Sequence, residues 1–483
     1  MDRGHELGVY TILRLQHKIE RRVSAVNGAV DGVSFDETCG VGAQVITASG
    51  ATAHASSDYV TPESVERLVE HAAEMASMSE HYGAVRVSGH ESMPRLITSQ
   101  IRECVNGIDS ISPDEEQRLV VEAGREAMSI DPRLACGTTY RIVDEEWRIV
   151  RSDGTDVMFN MPRAACYNSI TARDAGAGRA ASVSAAVSGQ DASIIVTREG
   201  RSRLGKRTHK AARTALALLE AGSVKAGSYR IVIDYALAKG LAHEAFGHSA
   251  ESDGMDTSIL GRDGKFMSGA RVASEIVSIV DGPVEGDYAY QPISANGVVR
   301  RTVDIVSKGV LRSALADAFS AQKAGVEPTG AGRAESFTDL PLPRMSNIRL
   351  TVADPLPMSM QFEDVGSEHV RDVLDRAGLL PPGGVVLYLS GYKGGQVNPA
   401  KGDFVFNCSA IYELSESSIR LCRPAIFSGK VLSALSSIMA GIGRPIVDAQ
   451  GTCGKSGQGV PSSGGANMFL VIEASPDIRI GGV

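Results

Sequence analysis

The sequence predicts an α+β protein in two parts: an N-terminal mixed α/β domain over residues 1–225, then a β-rich C-terminal domain over residues 226–483 that carries a short HExxxH helix. Three observations predict it. At 483 residues the chain is too long for one simple core, because single cores stop growing beyond roughly 250–300 residues. Helical and strand-like periodicities alternate through the first half, whereas strand signals dominate the second. Finally, 52 glycines beside only 5% aromatic residues imply many turns and close backbone approaches, as in a strand-rich protein with long connections.

Residues 6–23 read as a charged amphipathic helix, with Val9, Ile12, Leu15 and Ile19 near one face. A strand over 41–48 follows. Thr61 can cap a helix whose first position is Pro62, where a missing N–H costs nothing; Val65, Leu68, Val69, Ala72 and Ala76 form its apolar stripe. Ser112, Pro113 and Glu115 have capping-box spacing and open another helix. Residues 140–143 and 147–150 read as strands, and Asp153-Gly154 as the turn before a further strand at 157–159. The Ala/Gly/Ser-rich residues 175–189 fit either a sheet segment or a flexible connection. A helix over 208–221 closes this half, and the basic run 201–210 reads as a solvated face or loop. In the second half a strand at 229–233 leads directly into the key helix, 234–247. Strands are expected at 272–280, 298–306, 385–389, 404–406, 411–414, 469–472 and 478–480, with a short helix at 432–439.

Composition narrows the function. The 43% hydrophobic and 22% charged residues describe an ordinary folded protein. A formal net charge of -8 offers no basic footprint for nucleic acid. No apolar stretch is long enough to cross a membrane and no early run reads as a signal peptide, so neither a membrane nor a nucleic acid is expected as partner. Cys39, Cys104, Cys136, Cys166, Cys408, Cys422 and Cys453 are sparse, odd in number and not closely paired. That pattern suits a reducing compartment, with the cytoplasm as the default location.

The most informative segment is HEAFGH at residues 243–248, within LAHEAFGHSAESD. Histidines are neutral zinc ligands, and Glu244 is placed to act as a base toward water. The spacing is not that of HExxH, which sets two histidines four apart on one helical face. Five residues separate these by about 140° around a regular α-helix. Convergence of His243 and His248 needs either a local π-type turn or a helix that ends near Gly247 and lets His248 swing back. By itself the pattern also fits a packed His243 and a loop His248. The C-terminal run GTCGKSGQGVPSS supplies a third candidate ligand, Cys453. Glycines 451 and 454 beside it permit close approach, and two histidines with one thiolate leave a fourth metal position open, as in catalytic zinc sites.

Together these motifs resemble the TldD/PmbA peptidases, and within them the TldD-like, metal-containing member. The family pattern HEAxGHxxEGD appears as HEAFGHSAESD, which places His243, Glu244, His248, Glu251 and Asp253 on matching positions. Its GTCGKxGQxVP appears at residues 451–461, its PRMTN segment as TGAGRAESFTDLPLPRMSN, its GGxVDPxxGxFxF segment as GGQVNPAKGDFVF, and its early GxGxRV strand as GVGAQV. The resemblance implies a zinc metallopeptidase with His243, His248 and Cys453 as metal ligands and Glu244 as base. It also implies a homodimer, or a heterodimer with a related metal-less subunit, around a cavity in which extended peptides are cut. Glu251 or Asp253 is expected to orient a ligand histidine, and Arg333 and Arg344 to contact the oxyanion or a substrate carboxylate. The chain departs from the pattern at Ser252, at Asn398 and at PISANG over 292–297, which replaces an acidic stretch. Those departures leave open a specialised hydrolase acting on a leader peptide or a small peptidic metabolite. A non-catalytic assembly subunit is the third reading.

Overall fold

The computed structural model describes residues 1–81 and 86–481. Its frame is two large sheets. The first has eight strands, ordered Thr52–Ser57, Ala29–Ile46, Tyr10–Val26, Leu134–Arg151, Asp156–Asn160 and Ile97–Gln100, with Arg163–Asp174 and Arg179–Gly189 continuing from the first part of Leu134–Arg151. The second has thirteen strands drawn from residues 231–480. The result is α+β, with mixed helix and strand content.

Residues 6–23 correct the expected opening helix. A five-residue helix, Asp2–Glu6, is followed by the seventeen-residue strand Tyr10–Val26. This strand pairs antiparallel with Ala29–Ile46 on one side and with Leu134–Arg151 on the other, so both rows of its backbone groups are satisfied. The 3.6-residue spacing of Val9, Ile12, Leu15 and Ile19 is real but loses to those ladders, which favour Thr11, Ile12, Ile19 and Val23 as β-branched residues. The alternation expected at 41–48 is only the end of Ala29–Ile46.

The helices follow their caps closely. Pro62–His81 starts where Thr61 Oγ1 accepts from the Ser64 amide, and Pro113–Met128 starts where Ser112 Oγ accepts from the Glu115 amide. The last helix of this half begins earlier than its apolar pattern suggests: Arg198–Leu218 is capped by Thr197, whose Oγ1 accepts from Gly200 N. The basic run therefore lies on a helix, and it is not merely solvated. Lys206 pairs with Asp364, Arg207 with Glu363 and Asp448, and Lys210 donates to the Val365 carbonyl, which ties the helix to the second sheet's connections. Residues 175–189 resolve into a turn and the strand Arg179–Gly189.

Two close approaches set the first sheet against the segment that supports the site. Gly40 and Gly42 of GVGAQV leave no room for a Cβ because Phe337 packs onto them, and the Phe337 amide donates to Gln16 Oε1 at 3.0 Å. Two residues back, Glu335 Oε2 accepts from Gly459 N at 2.6 Å. Gly459 belongs to the hairpin that carries Cys453. The early glycine motif therefore braces the hairpin through Phe337 and Glu335.

Candidate metal centre

One strand organises the site. Gln458–Ile472 runs antiparallel to Ile231–Asp234 in the second sheet, with Phe469 opposite Asp234. From the end of Ile231–Asp234 springs the helix that carries His243 and His248. From the start of Gln458–Ile472 a hairpin folds back as Gly451–Lys455, with Cys453 opposite Val460. Two neighbouring strands thus deliver segments that are far apart in the chain to one place.

Asp234 caps the ligand helix: Oδ1 accepts from Leu237 N at 3.0 Å and Oδ2 from Gly391 N at 2.5 Å. The helix is α over Tyr235–Gly240 and π over Leu241–Gly247, and a 3₁₀ turn, His248–Ala250, ends it. The wider π turn is the first of the two routes to convergence open to a five-residue spacing. Gly247 has a different use from the one its type suggests. Its φ of -56° and ψ of -57° are right-handed, so no left-handed helix end is involved. What glycine provides is space, since a Cβ there would overlap the Met345 sulfur. Met345 belongs to the PRMSN segment, and that packing fixes the distance between helix and segment.

His243, His248 and Cys453 converge. One ligand atom from each lies within 4.8 Å of the other two. The imidazole rings are 5.2 Å apart between centroids and nearly perpendicular, at 87°. Cys453 Sγ is 3.7 Å from His248 Nε2. The hairpin turn behind Cys453 is Ser456-Gly457, with φ of 51° and 82°, a two-residue turn of the I′ kind that needs positive φ at both positions. Gly457 is the glycine this geometry requires. Gly451 and Gly454 are not needed for close approach: a Cβ would make ordinary contacts at the first and none within 4 Å at the second.

Burial and neighbouring charges set the protonation of the three groups. Burial, followed by the charges of Lys239, His248, Arg344 and Arg333, holds His243 well below the usual histidine range, so it presents a neutral imidazole. Its Nδ1 is buried without a hydrogen-bond partner. Burial alone would lower His248, but Glu251 and Cys453 outweigh it and push it up to about 10. Burial would raise the Cys453 thiol, yet His248 and then Arg344 bring it below its ordinary value. Two imidazoles, one with a buried nitrogen that has no hydrogen-bond partner, and one thiol sulfur form a three-membered donor set that fits a divalent transition metal.

The other predicted residues differ in what they contact: Asp253 does not meet a ligand histidine, and Arg333 and Arg344 spend their donors on protein groups. Glu244 is half-buried beside His243, and burial raises its carboxyl although His248 and Lys239 oppose the shift. Glu251 receives the His248 Nδ1–H at 3.2 Å, whereas Asp253 contacts Lys455 instead. Arg333 and Arg344 are fully buried and engage protein groups. Arg333 donates to Gln291 Oε1 and to the Met345 and Pro461 carbonyls, each at 2.6 Å; Arg344 donates to the Cys453 and Gln458 carbonyls. Both hold the cysteine hairpin in place. Among the departures, Ser252 Oγ bonds Ser320 Oγ at 2.5 Å, Asn398 Oδ1 caps the turn at Ala400, and Asn296 Oδ1 accepts from Arg14.

Two residues escape sequence reasoning. Lys239 lies one turn before His243, buried, with its Nζ 3.4 Å from Ser462 Oγ; its i, i+4 relation to His243 is the available signal. Lys455 stands in GTCGK, two places from the cysteine, yet nothing local shows what it bonds.

Family models confirm the order of these segments along the chain. Those described as PmbA/TldA metallopeptidase domain 1, central domain and C-terminal domain match residues 13–76, 106–219 and 226–463. The chain belongs to the PmbA/TldD metallopeptidase family. A metalloprotease of Methanothermobacter thermautotrophicus is 35% identical over 274 residues, 56% of this chain and 54% of that protein, so the aligned chain spans about half of that relative. A metalloprotease of Methanocaldococcus jannaschii is 24% identical over 475 residues, 97% of each chain. The crystal structure of TldE from Thermococcus kodakarensis has a TM-score of 0.75 at 15% identity, covering 99% of this chain and 98% of that one; at that identity it speaks to the PmbA/TldD fold alone.

Proposed function

We propose that this PmbA/TldD protein is a zinc-dependent peptidase that hydrolyses amide bonds of unfolded or extended peptides. The observation that carries the reading is the convergence of His243, His248 and Cys453 with Glu244 alongside. Two imidazoles and one thiolate are a donor set that zinc accepts with a position left open. When bound, the metal polarises the scissile carbonyl and lowers the pKa of water. Glu244 takes the proton of the attacking water and passes it to the leaving amine. A carboxyl raised by burial is a stronger base than an exposed one, which favours its uptake of the water proton. Glu251 fixes the ring of His248 through Nδ1, Arg344 holds the Cys453 carbonyl, and Arg333 holds the Pro461 carbonyl on the paired strand.

Within this reading residues 1–225 form one domain and 226–483 the catalytic one; separate sheets on either side of residue 225 support the division. A dimer, with itself or with a related metal-less subunit, is supported by residues 29–40 of Ala29–Ile46, whose outer edge has no partner strand among the described residues and where Val30, Val33 and Phe35 are exposed. The seven free thiols suit a reducing cytoplasm. Among the described residues no helix is long and apolar enough to cross a membrane. A specialised hydrolase acting on a leader peptide or a small peptidic metabolite is the alternative, motivated by residues 292–297, where the buried Asn296 bonds Arg14 in place of an acidic stretch. A non-catalytic subunit would have no use for the retained His243, Glu244, His248 and Cys453.

The deciding experiment is chelation and reconstitution. Chelated protein should cleave no unstructured peptide, and one equivalent of zinc per chain should restore turnover. Full activity without transition metal would overturn the reading.

A further inference from the structure

We propose that Lys455 is a positioning residue of the metal site: an ionic clasp that holds its two ligand-bearing segments in register before any metal binds. The proposal rests on the metal-site reading above and adds a residue to it. His248 and Cys453 are 205 positions apart in the chain, so a shared metal would be one link between their segments. A second link lies beside it. Lys455 Nζ donates to Glu251 Oε2 at 2.8 Å and to Asp253 Oδ1 at 2.6 Å, and it reaches the Pro343 carbonyl at 3.4 Å. Glu251 Oε2 also receives the His248 Nδ1–H at 3.2 Å. One carboxylate oxygen therefore joins a ligand imidazole to the strand of the ligand thiolate.

The placement makes this more than a surface pair. Glu251 is 2% exposed and Lys455 20%, so the pair is shielded from water and salt, and removing one member strands a buried charge. Lys455 is the last residue before the tight Ser456-Gly457 turn and sits opposite Gln458. A two-residue turn has little slack, so the position of Lys455 sets the position of Cys453 two residues earlier. Groups that orient metal ligands typically change metal affinity about 10–100-fold when removed, and Lys455 acts through one of them.

The test uses the full chain stripped of metal and titrated with cobalt(II), followed by its thiolate charge-transfer absorption. The parent should bind with that band present. Lys455→Met should raise the Kd about 10–100-fold while reaching the same band at saturation, because Cys453 still ligates. Lys455→Arg, which keeps the charge, should recover a large part of the loss. Asp253→Asn, which leaves Glu251 and His248 in place, should give a smaller weakening. Parent-like Kd values for both Lys455→Met and Asp253→Asn would overturn the clasp, as would an arginine variant no better than the methionine one. If Lys455→Met does not fold, Asp253→Asn decides alone, and an unchanged Kd there rejects the proposal. No cobalt uptake by the parent would overturn the metal site and the clasp with it, a result distinct from any difference among variants.

Discussion

Glu244 and Cys453 divide the work of the proposed site between proton transfer and coordination, and single substitutions separate them. Glu244→Gln removes a base without removing a ligand, so zinc content should stay at the parental level while peptide turnover falls on the order of 10²–10⁴-fold. Elemental analysis beside a turnover assay checks this, and retained activity would take Glu244 out of the mechanism. Cys453→Ser should lose both zinc and turnover. Cys408→Ser and Cys422→Ser should keep their zinc, because those thiols are buried elsewhere, against the Ala425 and Arg420 carbonyls. A Cys453→Ser protein with parental zinc would shift the third ligand to a carboxylate. Metal uptake should also depend on pH with a definite sign. His243 is neutral in the metal-free protein and the Cys453 thiol is lowered, whereas His248 is raised to about 10 and carries the proton a metal must displace. Zinc affinity should therefore rise with pH across pH 7–9, with net proton release on metal binding. Calorimetry in buffers of different ionisation enthalpy measures that release, and a pH-independent affinity would contradict it.

The element that decides the site is the helix from Asp234 to Ala250, whose middle turn is π. Its contact with the PRMSN segment is set by Gly247 lying on the Met345 sulfur. Gly247→Ala should force the two apart and cost about 1–3 kcal/mol, the usual scale of overpacking, and zinc affinity should fall with it. Met345→Ala in the same chain should restore part of both, since it vacates the space the new methyl needs. Denaturant melts and zinc titrations of the two single variants and the double variant measure the coupling. Additive losses would mean that Gly247 matters for some other reason. The hairpin on the opposite side is held by Arg333, Arg344, Glu335 and Lys455, so the cysteine is carried by a braced element.

At the scale of the molecule, the first sheet meets the segment that supports the site where Phe337 covers Gly40 and Gly42, and among the described residues the first sheet keeps an edge open along residues 29–40 of the strand Ala29–Ile46, beyond its pairing with Thr52–Ser57. An edge of that length with exposed valines and a phenylalanine invites pairing with another chain. Light scattering should return about twice 50.8 kDa. Phe35→Lys should shift that mass toward the monomer, because Phe35 is 59% exposed on this edge and a charge there opposes strand addition. An active monomer at all concentrations would refute the dimer.

Local signals were enough for the helices with caps. Thr61-Pro62 and Ser112-Pro113 announce their helix starts because a cap bonds within three residues of itself. Motif order was enough to bring His243, His248 and Cys453 forward together, since each ligand type has few substitutes at a transition metal. Three things were not legible. The strand Tyr10–Val26 presented a helical spacing, and only its two partner strands overruled it. Gly247 and Gly451 look alike as letters, yet one is required by the Met345 sulfur and the other meets only ordinary contacts. Lys455 is an ordinary lysine in a glycine-rich run until folding sets Glu251 and Asp253 beside it. The physical reason is common to all three. Capping and ligand chemistry act within a turn or through the residue's own atoms, whereas sheet pairing, steric room and buried ion pairs depend on partners outside the local turn, up to about two hundred residues away, which only the tertiary structure supplies.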